Sequence, residues 1–369
     1  MKKREIIQKS KTFCLSVIWV VIISILLLEG IGLFVFDNRY YWDLRYLTYT
    51  QGAVINQSVK DKALWTYAPN SSVRTIATYA DVLGAEVEYD CSFETNSLGF
   101  IQAGSEDKPA DYLVLGDSFT EGQGGCPWLI KDKIHSDAFM RSYNILNGGL
   151  QGAGLQTFEA VLELHEQESI PKNIAIIAIS NDFKRGAPQV WPLDDPCTSS
   201  LMCEKDAYWY FEKFNVTKAE LEAQALARRA YRKTSLRREI MRYSFTHRIY
   251  EEFHKAIAWY FGSHSDVKTN DMAFAANFAA LERMIEKYPE AIILLVPQRD
   301  EVGLLGRENS DTGIVKKYLL DQKITFKSCA LSSRDYMPID GHPNARGYAK
   351  LFACLKDSIK ERENKVSVF

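Results

Sequence analysis

The sequence lacks the marks of several protein classes. It has no excess of positive charge: 45 lysines and arginines stand against 47 acidic residues, a formal net charge of −2. Proteins that grip nucleic acid usually carry a strongly basic face, so no nucleic-acid partner is expected. Histidine is sparse, at six residues, and no two cysteines stand in a CxxC pair. A zinc site therefore finds no support, and neither a cofactor nor a metal is expected. Sequence repeats and long low-complexity tracts are absent. After the apolar stretch near the N-terminus there is no A-x-A-like site, which weighs against a cleaved signal peptide.

What is present begins with that stretch. Residues 13–28 read FCLSVIWVVIISILLL, and IGLFVF follows Glu29 and Gly30. A membrane-crossing helix needs about 20 mostly apolar residues. Lys2, Lys3, Arg4, Lys9 and Lys11 precede the stretch, so the positive-inside rule places the N-terminus in the cytoplasm and the bulk of the chain outside. The expected organisation is a basic tail over 1–11, a transmembrane anchor over 12–36, a membrane-proximal segment over 37–94 and an α/β domain over 95–369. The expectation is a single-pass protein of the cytoplasmic (inner) membrane with its main domain on the periplasmic side. Glu29 is read as lying near the outer interface or at a helix contact rather than as a functional carboxylate.

Cysteine usage fits an oxidising compartment. Cys14 lies in the apolar stretch, and six cysteines follow it. Cys197 and Cys203 flank the short loop PCTSSLMC and form the first candidate bridge. Cys91 with Cys126 and Cys329 with Cys354 are further candidate pairs, and the connectivity stays open. Three N-x-S/T sequons, at Asn56, Asn70 and Asn215, leave a secretory-lumen setting as an alternative to a bacterial envelope.

In the 37–94 segment the alternating VEYDCSFET reads as a strand, with one or two strands expected in all. From Asp111 an α/β rhythm begins. YLVLG (112–116), the end of NILNGG (144–149), NIAIIAIS (173–180) and AIILLVP (291–297) are short apolar runs of buried-strand type, and KITF (323–326) is a candidate fifth strand. LQTFEAVLELHEQE (155–168), LERMIEKY and ARGYAKLFACLKDSIKERE carry helical spacing. Alternating strands and helices predict a three-layer α/β/α fold on a mostly parallel sheet. Residues 184–288 are too long for a crossover and read as a mainly helical insertion. Its basic run (Arg228, Arg229, Arg232, Lys233, Arg237, Arg238) reads as a solvated helix face, with an anionic glycan or lipid headgroup as the alternative.

Two motifs carry chemistry. GDSFTEG (116–122) follows a buried strand, and ligands of open α/β sheets bind beyond the carboxyl ends of strands. Ser118 on that turn stands close to backbone N–H groups. DGHPNARGY (340–348) precedes the last helix. A serine hydroxyl needs a base, and His342 supplies one near neutral pH. Asp340, two positions before it, can orient the imidazole, with Asp335 as a fallback. His135, His165, His247, His254 and His264 lie in polar or helical contexts and are expected to face solvent. Asp117 and Asp182 are expected to bond their own turns.

The chain resembles the SGNH (GDSL-like) hydrolases, whose blocks recur here in order over about residues 95–357. GDSFTEG is similar to the first block, NGGLQGAG (147–154) to the second, SNDF (180–183) to the third and DGHPN to the fifth. TNSLGF (95–100) looks like a lead-in of membrane-anchored members. The resemblance implies a flavodoxin-like sheet, Ser118 as nucleophile, His342 as base, Asp340 as orienter, and an oxyanion hole from Ser118, Gly152 and Asn181. Two positions depart from the pattern: Ile179 stands where the third block usually has glycine, and many members place the aspartate one position further from the histidine.

The implied activity is that of an extracytoplasmic serine esterase acting on an O-acyl ester, for example O-acetyl, of a cell-envelope glycan or lipid. An O-acyltransferase for a polysaccharide on the same residues is an alternative. A catalytically silent module that binds glycan or an envelope-complex partner is another.

Overall fold

The computed structural model describes residues 16–31, 44–50, 53–60, 62–80, 84–186, 209–211, 216–231, 244, 246–247, 250, 272–302, 308–337 and 340–366. The chain divides into two units. One comprises Met1–Trp42 with Arg232–Val267, the other Asp43–Tyr231 with Lys268–Phe369.

In the first unit, residues 16–31 form a helix, α1, whose apolar side chains, Trp19 and Leu26 among them, are exposed. Among the described residues no helix is long and apolar enough to cross a membrane. The anchor expected over 12–36 is therefore not supported; its two ends lie outside the described residues. Glu29 accepts hydrogen bonds from the Ser244 hydroxyl (2.7 Å) and the Thr246 N–H (3.0 Å). That is a helix contact, the reading preferred from sequence.

The second unit holds a five-stranded parallel sheet and a separate antiparallel one. The parallel sheet contains β6 (Tyr112–Gly116), β7 (Ile145–Gly149), β8 (Ile174–Ala178), β10 (Ile292–Leu295) and β11 (Lys327–Ser328). Its order is β11-β10-β8-β6-β7. Side chains alternate between faces along each strand. Tyr112, Val114, Ala175, Ile177, Ile292 and Leu294 join a core with Ile134 of α3 (Lys131–Ser136) and Tyr348, Leu351, Leu355 and Ile359 of α8 (Ala345–Val366). The last four fall on one stripe of the helix. Leu351, Leu355 and Ile359 are fully buried, a contribution of about 1.5–3 kcal/mol each. On the opposite face α4 (Leu155–Glu168) packs on β6 and β7 and against α6 (Met272–Lys287). Helices thus cover both faces of the sheet.

The candidate strand at 323–326 is displaced. Lys323 closes α7 (Ser310–Asp321) with φ +57°, and pairing with β10 begins only at Lys327.

The 37–94 region is richer than one or two strands. It forms β1 (Leu44–Thr50), β2 (Val54–Val59), β3 (Lys62–Tyr67), β4 (Ser72–Ala80) and β5 (Ala85–Glu94). β2 and β3 make a hairpin. β5, β4 and β1 form an antiparallel sheet, extended by β9 (Trp209–Phe211) from the insertion, parallel to β1. Threonine and tyrosine suit such half-buried strands, yet they make no long apolar run for a reader of sequence to notice. α5 (Lys218–Tyr231) covers this sheet, with Leu221 against Ile76 and Ala225 against Ala80.

Two of the candidate cystine pairs form: Cys91 with Cys126 and Cys329 with Cys354, at Cα separations of 5.3 and 5.9 Å. Cys197 and Cys203 lie outside the described residues, as does most of the basic run.

Candidate active site

β6 ends at Gly116, where the backbone passes close to its neighbours. A Cβ there would fall 1.8 Å from the Thr120 hydroxyl and 2.6 Å from the Ile177 carbonyl. The chain turns at once into α2 (Ser118–Glu121), capped by the Asp117 carboxylate, which accepts the Phe119 N–H at 2.8 Å. Ser118 thus stands at the carboxyl end of a central strand. Its hydroxyl lies 2.8 Å from His342 Nε2 and 3.3 Å from the Asp117 carboxylate. The shorter contact is the one a general base needs.

His342 is held on its other side. Its Nδ1 lies 2.5 Å from the Asp340 carboxylate, whose side chain is only 3% exposed. Asp340 in turn donates its backbone N–H to Glu88 of β5 at 3.2 Å. The loop that carries both residues is fixed by Asp335, which takes Lys350 at 2.6 Å and Arg346 at 2.9 Å and accepts the Ser332 N–H and hydroxyl. Burial alone would raise the Asp335 pKa, but Lys350 and Ser332 outweigh it and hold it near 2. Asp335 is a latch on the loop, and the fallback role of orienting His342 does not apply. The GGC segment behind α2 packs on this loop: a Cβ at Gly124 would sit 3.0 Å from the His342 Cβ. The Cys91–Cys126 bridge ties that segment to β5.

Gly152 and Asn181 follow the two strands that flank β6. Gly152, at φ +74°, lies in the turn after β7, and a Cβ there would meet no atom within 4 Å. Asn181 is exposed in a 3-10 turn, Ser180–Lys184, after β8. Ile179 has ordinary extended backbone (φ −98°, ψ 160°), and its N–H is accepted by Asp182 at 2.9 Å. Glycine is not required there.

Sequence reasoning missed several residues. Glu88 reaches the site from a segment far away in sequence, and Arg185 from the end of the turn that carries Asn181. His165 does not face solvent: it is 3% exposed, stacked on Phe100, and burial lowers its pKa to about 3. His135 and His247 keep some exposure, and His254 and His264 lie outside the described residues. Asp117 and Asp182 do bond their turns, but both also reach Arg185. Burial and the neighbouring Asp117 push the Asp182 carboxyl well above the usual range. Among the described residues no three His, Cys, Asp or Glu side chains group to hold a metal ion.

Glu121, 2% exposed, is the most consequential buried acid. Burial raises its pKa from 4.5 to about 7, against hydrogen bonds from the Tyr67 hydroxyl (2.5 Å) and the Gln151 N–H. A folded pKa above the unfolded value means that stability is full below about pH 4.5 and falls as pH rises through 7. Each unit is about 1.4 kcal/mol, so the wild type should lose about 3 kcal/mol between pH 4 and 8 through this group. Glu121→Gln should remove that loss. Denaturant midpoints at pH 4 and 8 check this: the variant should gain on the wild type at the higher pH and not at the lower.

A cavity of about 270 Å³ opens at the carboxyl ends of β8, β10 and β11, lined by Ser180, Pro297, Glu301, Thr312 and Lys316 among others.

No family model and no curated protein matches the chain. Solved structures similar to it at low identity include a lipase and a carbohydrate esterase. A GDSL-like lipase from Bacteroides thetaiotaomicron is 14% identical, with 68% of this chain and 87% of that one covered, at a TM-score of 0.29. A structure described for a carbohydrate esterase active site with divergent catalytic and non-catalytic binding functions is 12% identical, with coverage of 85% and 97%, at a TM-score of 0.33. At these scores neither likeness bears on the chemistry, and the Ser118–His342–Asp340 geometry stands on its own.

Proposed function

We propose that this chain is a serine esterase of SGNH type, with Ser118 as nucleophile, His342 as general base and acid, and Asp340 as orienter. The observation that carries the reading is the relay of contacts: 2.8 Å from Ser118 Oγ to His342 Nε2, and 2.5 Å from His342 Nδ1 to Asp340.

The steps follow from that geometry. His342 takes the hydroxyl proton as Ser118 Oγ bonds to the ester carbonyl carbon, and the carbonyl π electrons move onto oxygen. The N–H groups of Ser118 and Gly152 and the Asn181 amide receive that charge. One such donor is typically worth about 3 kcal/mol. As the carbonyl re-forms, the bond to the leaving alcohol breaks and His342 returns the proton to it. Water, deprotonated by His342, then releases the acyl group and regenerates Ser118. Asp340 keeps the imidazole in the productive tautomer and stabilises its charged form.

The substrate proposed is an O-acyl ester, O-acetyl for example, on an envelope glycan or lipid. The basic tail and the apolar run of 13–36 support a single-pass placement in the cytoplasmic membrane with the site outside it.

The test is acetate release by the full chain from an O-acetylated polysaccharide and from an aryl acetate. Hydrolysis of both is expected. Transfer of the acetyl group to added glycan faster than its release would convert the reading to an acyltransferase. Reaction with neither would remove it.

A further inference from the structure

The turn that carries Gly152 is gripped by ionisable side chains on both sides. Glu121, three residues after the nucleophile, accepts the N–H of Gln151. Arg185 donates from Nη1 to the carbonyl of Ala153 at 3.0 Å. The same guanidinium donates from Nη2 to Asp117 at 3.2 Å, and its Nε lies 3.5 Å from Asp182. One planar side chain thus hydrogen-bonds the immediate neighbours of Ser118 and Gly152 and forms an ion pair with that of Asn181.

The anchoring of Arg185 is built, not incidental. Asn277 of α6 donates from Nδ2 to the carbonyls of Phe183 (3.1 Å) and Arg185 (2.7 Å), and it accepts the Gln156 N–H at 3.1 Å. At Gly154 a Cβ would fall 2.7 Å from the Asp182 carbonyl and 2.8 Å from the Arg185 Cβ. The Gly152 turn and the Asn181 turn therefore run against each other with Arg185 between them and Asp117. Asp117 and Asp182 are fully buried, while the Arg185 side chain is 21% exposed. A guanidinium can reach both buried acids and a carbonyl as well, because its donors form a fixed fork.

We propose that Arg185 is a positioning residue of the Ser118 site: it sets the Gly152 and Asn181 donors against the nucleophile turn by bonding Ala153, Asp182 and Asp117 together. This rests on the esterase reading of Ser118. Arg185 touches no reacting atom in this scheme. It acts through the donors, whose misplacement by about 1 Å can cost about 100-fold in rate.

The experiment uses the full-length wild type, Arg185→Met and Arg185→Lys. A fluorophosphonate probe gives the rate constant and the final extent of labelling at Ser118, and p-nitrophenyl acetate gives kcat and KM. Arg185→Met should lower the labelling rate constant and kcat by about 10- to 100-fold. The extent of labelling should stay complete, KM should barely change, and the pH midpoint of the reaction should stay in place. Arg185→Lys should recover only part of the loss, because an ammonium cannot bridge the partners as a fork. Labelling of Arg185→Met at the wild-type rate overturns the proposal. So does a lower extent at an unchanged rate constant, since that is what a merely structural residue would give. A folded wild type that is not labelled at Ser118 would instead remove the esterase reading, and this proposal with it.

Discussion

Ser118→Ala and His342→Ala are each expected to lower kcat for p-nitrophenyl acetate by about a million-fold, and the double variant by no more than either alone. The reason is that the two side chains act as one device. The Ser118 hydroxyl is a poor nucleophile unless His342 Nε2, 2.8 Å away, accepts its proton. Without the base, the hydroxyl stays protonated; without the hydroxyl, the base has nothing to activate. What survives should be the residual effect of oxyanion donors and binding, about 1,000-fold over water. Folding should be preserved, because among the described residues Ser118 Oγ has only His342 and a longer contact to Asp117 to lose. Additive losses in the double variant would show that the residues act separately and that the relay is not the catalytic unit.

Asp340→Asn should cost about 10,000-fold in kcat while leaving the fold and Ser118 in place. An amide at 2.5 Å from Nδ1 can donate where the carboxylate accepts, which favours the tautomer with its proton on Nε2, facing the nucleophile. His342 would then be unable to take the serine proton. Asp335→Asn is the informative contrast. It breaks the pairs with Arg346 and Lys350 but touches no atom of His342. Its main effect should be on stability, seen as a lower denaturant midpoint, with a much smaller loss of kcat. A reversal of the two effects would assign the orienting role to Asp335. Kinetics with p-nitrophenyl acetate and urea titrations of both variants decide it.

Much of the parallel sheet could be read from the sequence. Buried strands such as IAIIA need apolar side chains on both faces, and that leaves an unbroken run. The helix over LQTFEAVLELHEQE was legible from its spacing, and it forms as Leu155–Glu168. The antiparallel sheet was less visible. Its strands, SVRTIATYA among them, are half polar, and β9 sits inside a region that otherwise looked helical. Ser118, Asp340 and His342 stood in recognisable motifs, and the fold brings them to hydrogen-bond distance. Choosing Asp340 over Asp335 needed the loop's path, since both acids lie close to His342 in sequence. Arg185 and Glu88 were out of reach for a different reason. Each acts on a backbone group of a distant segment, Ala153 or Asp340, and a backbone acceptor or donor leaves no signature in sequence. Glu121 lay within the quoted motif, but its raised pKa comes from burial, which only the fold supplies.

The most direct measurement is to treat the full-length chain with a fluorophosphonate probe and map the adduct by mass spectrometry. Such a probe reports an activated serine without requiring the natural substrate. The geometry predicts a single label on Ser118 in the wild type and its loss in His342→Ala. A well-folded wild type that takes no label, or a label on Ser118 that persists without His342, would contradict it.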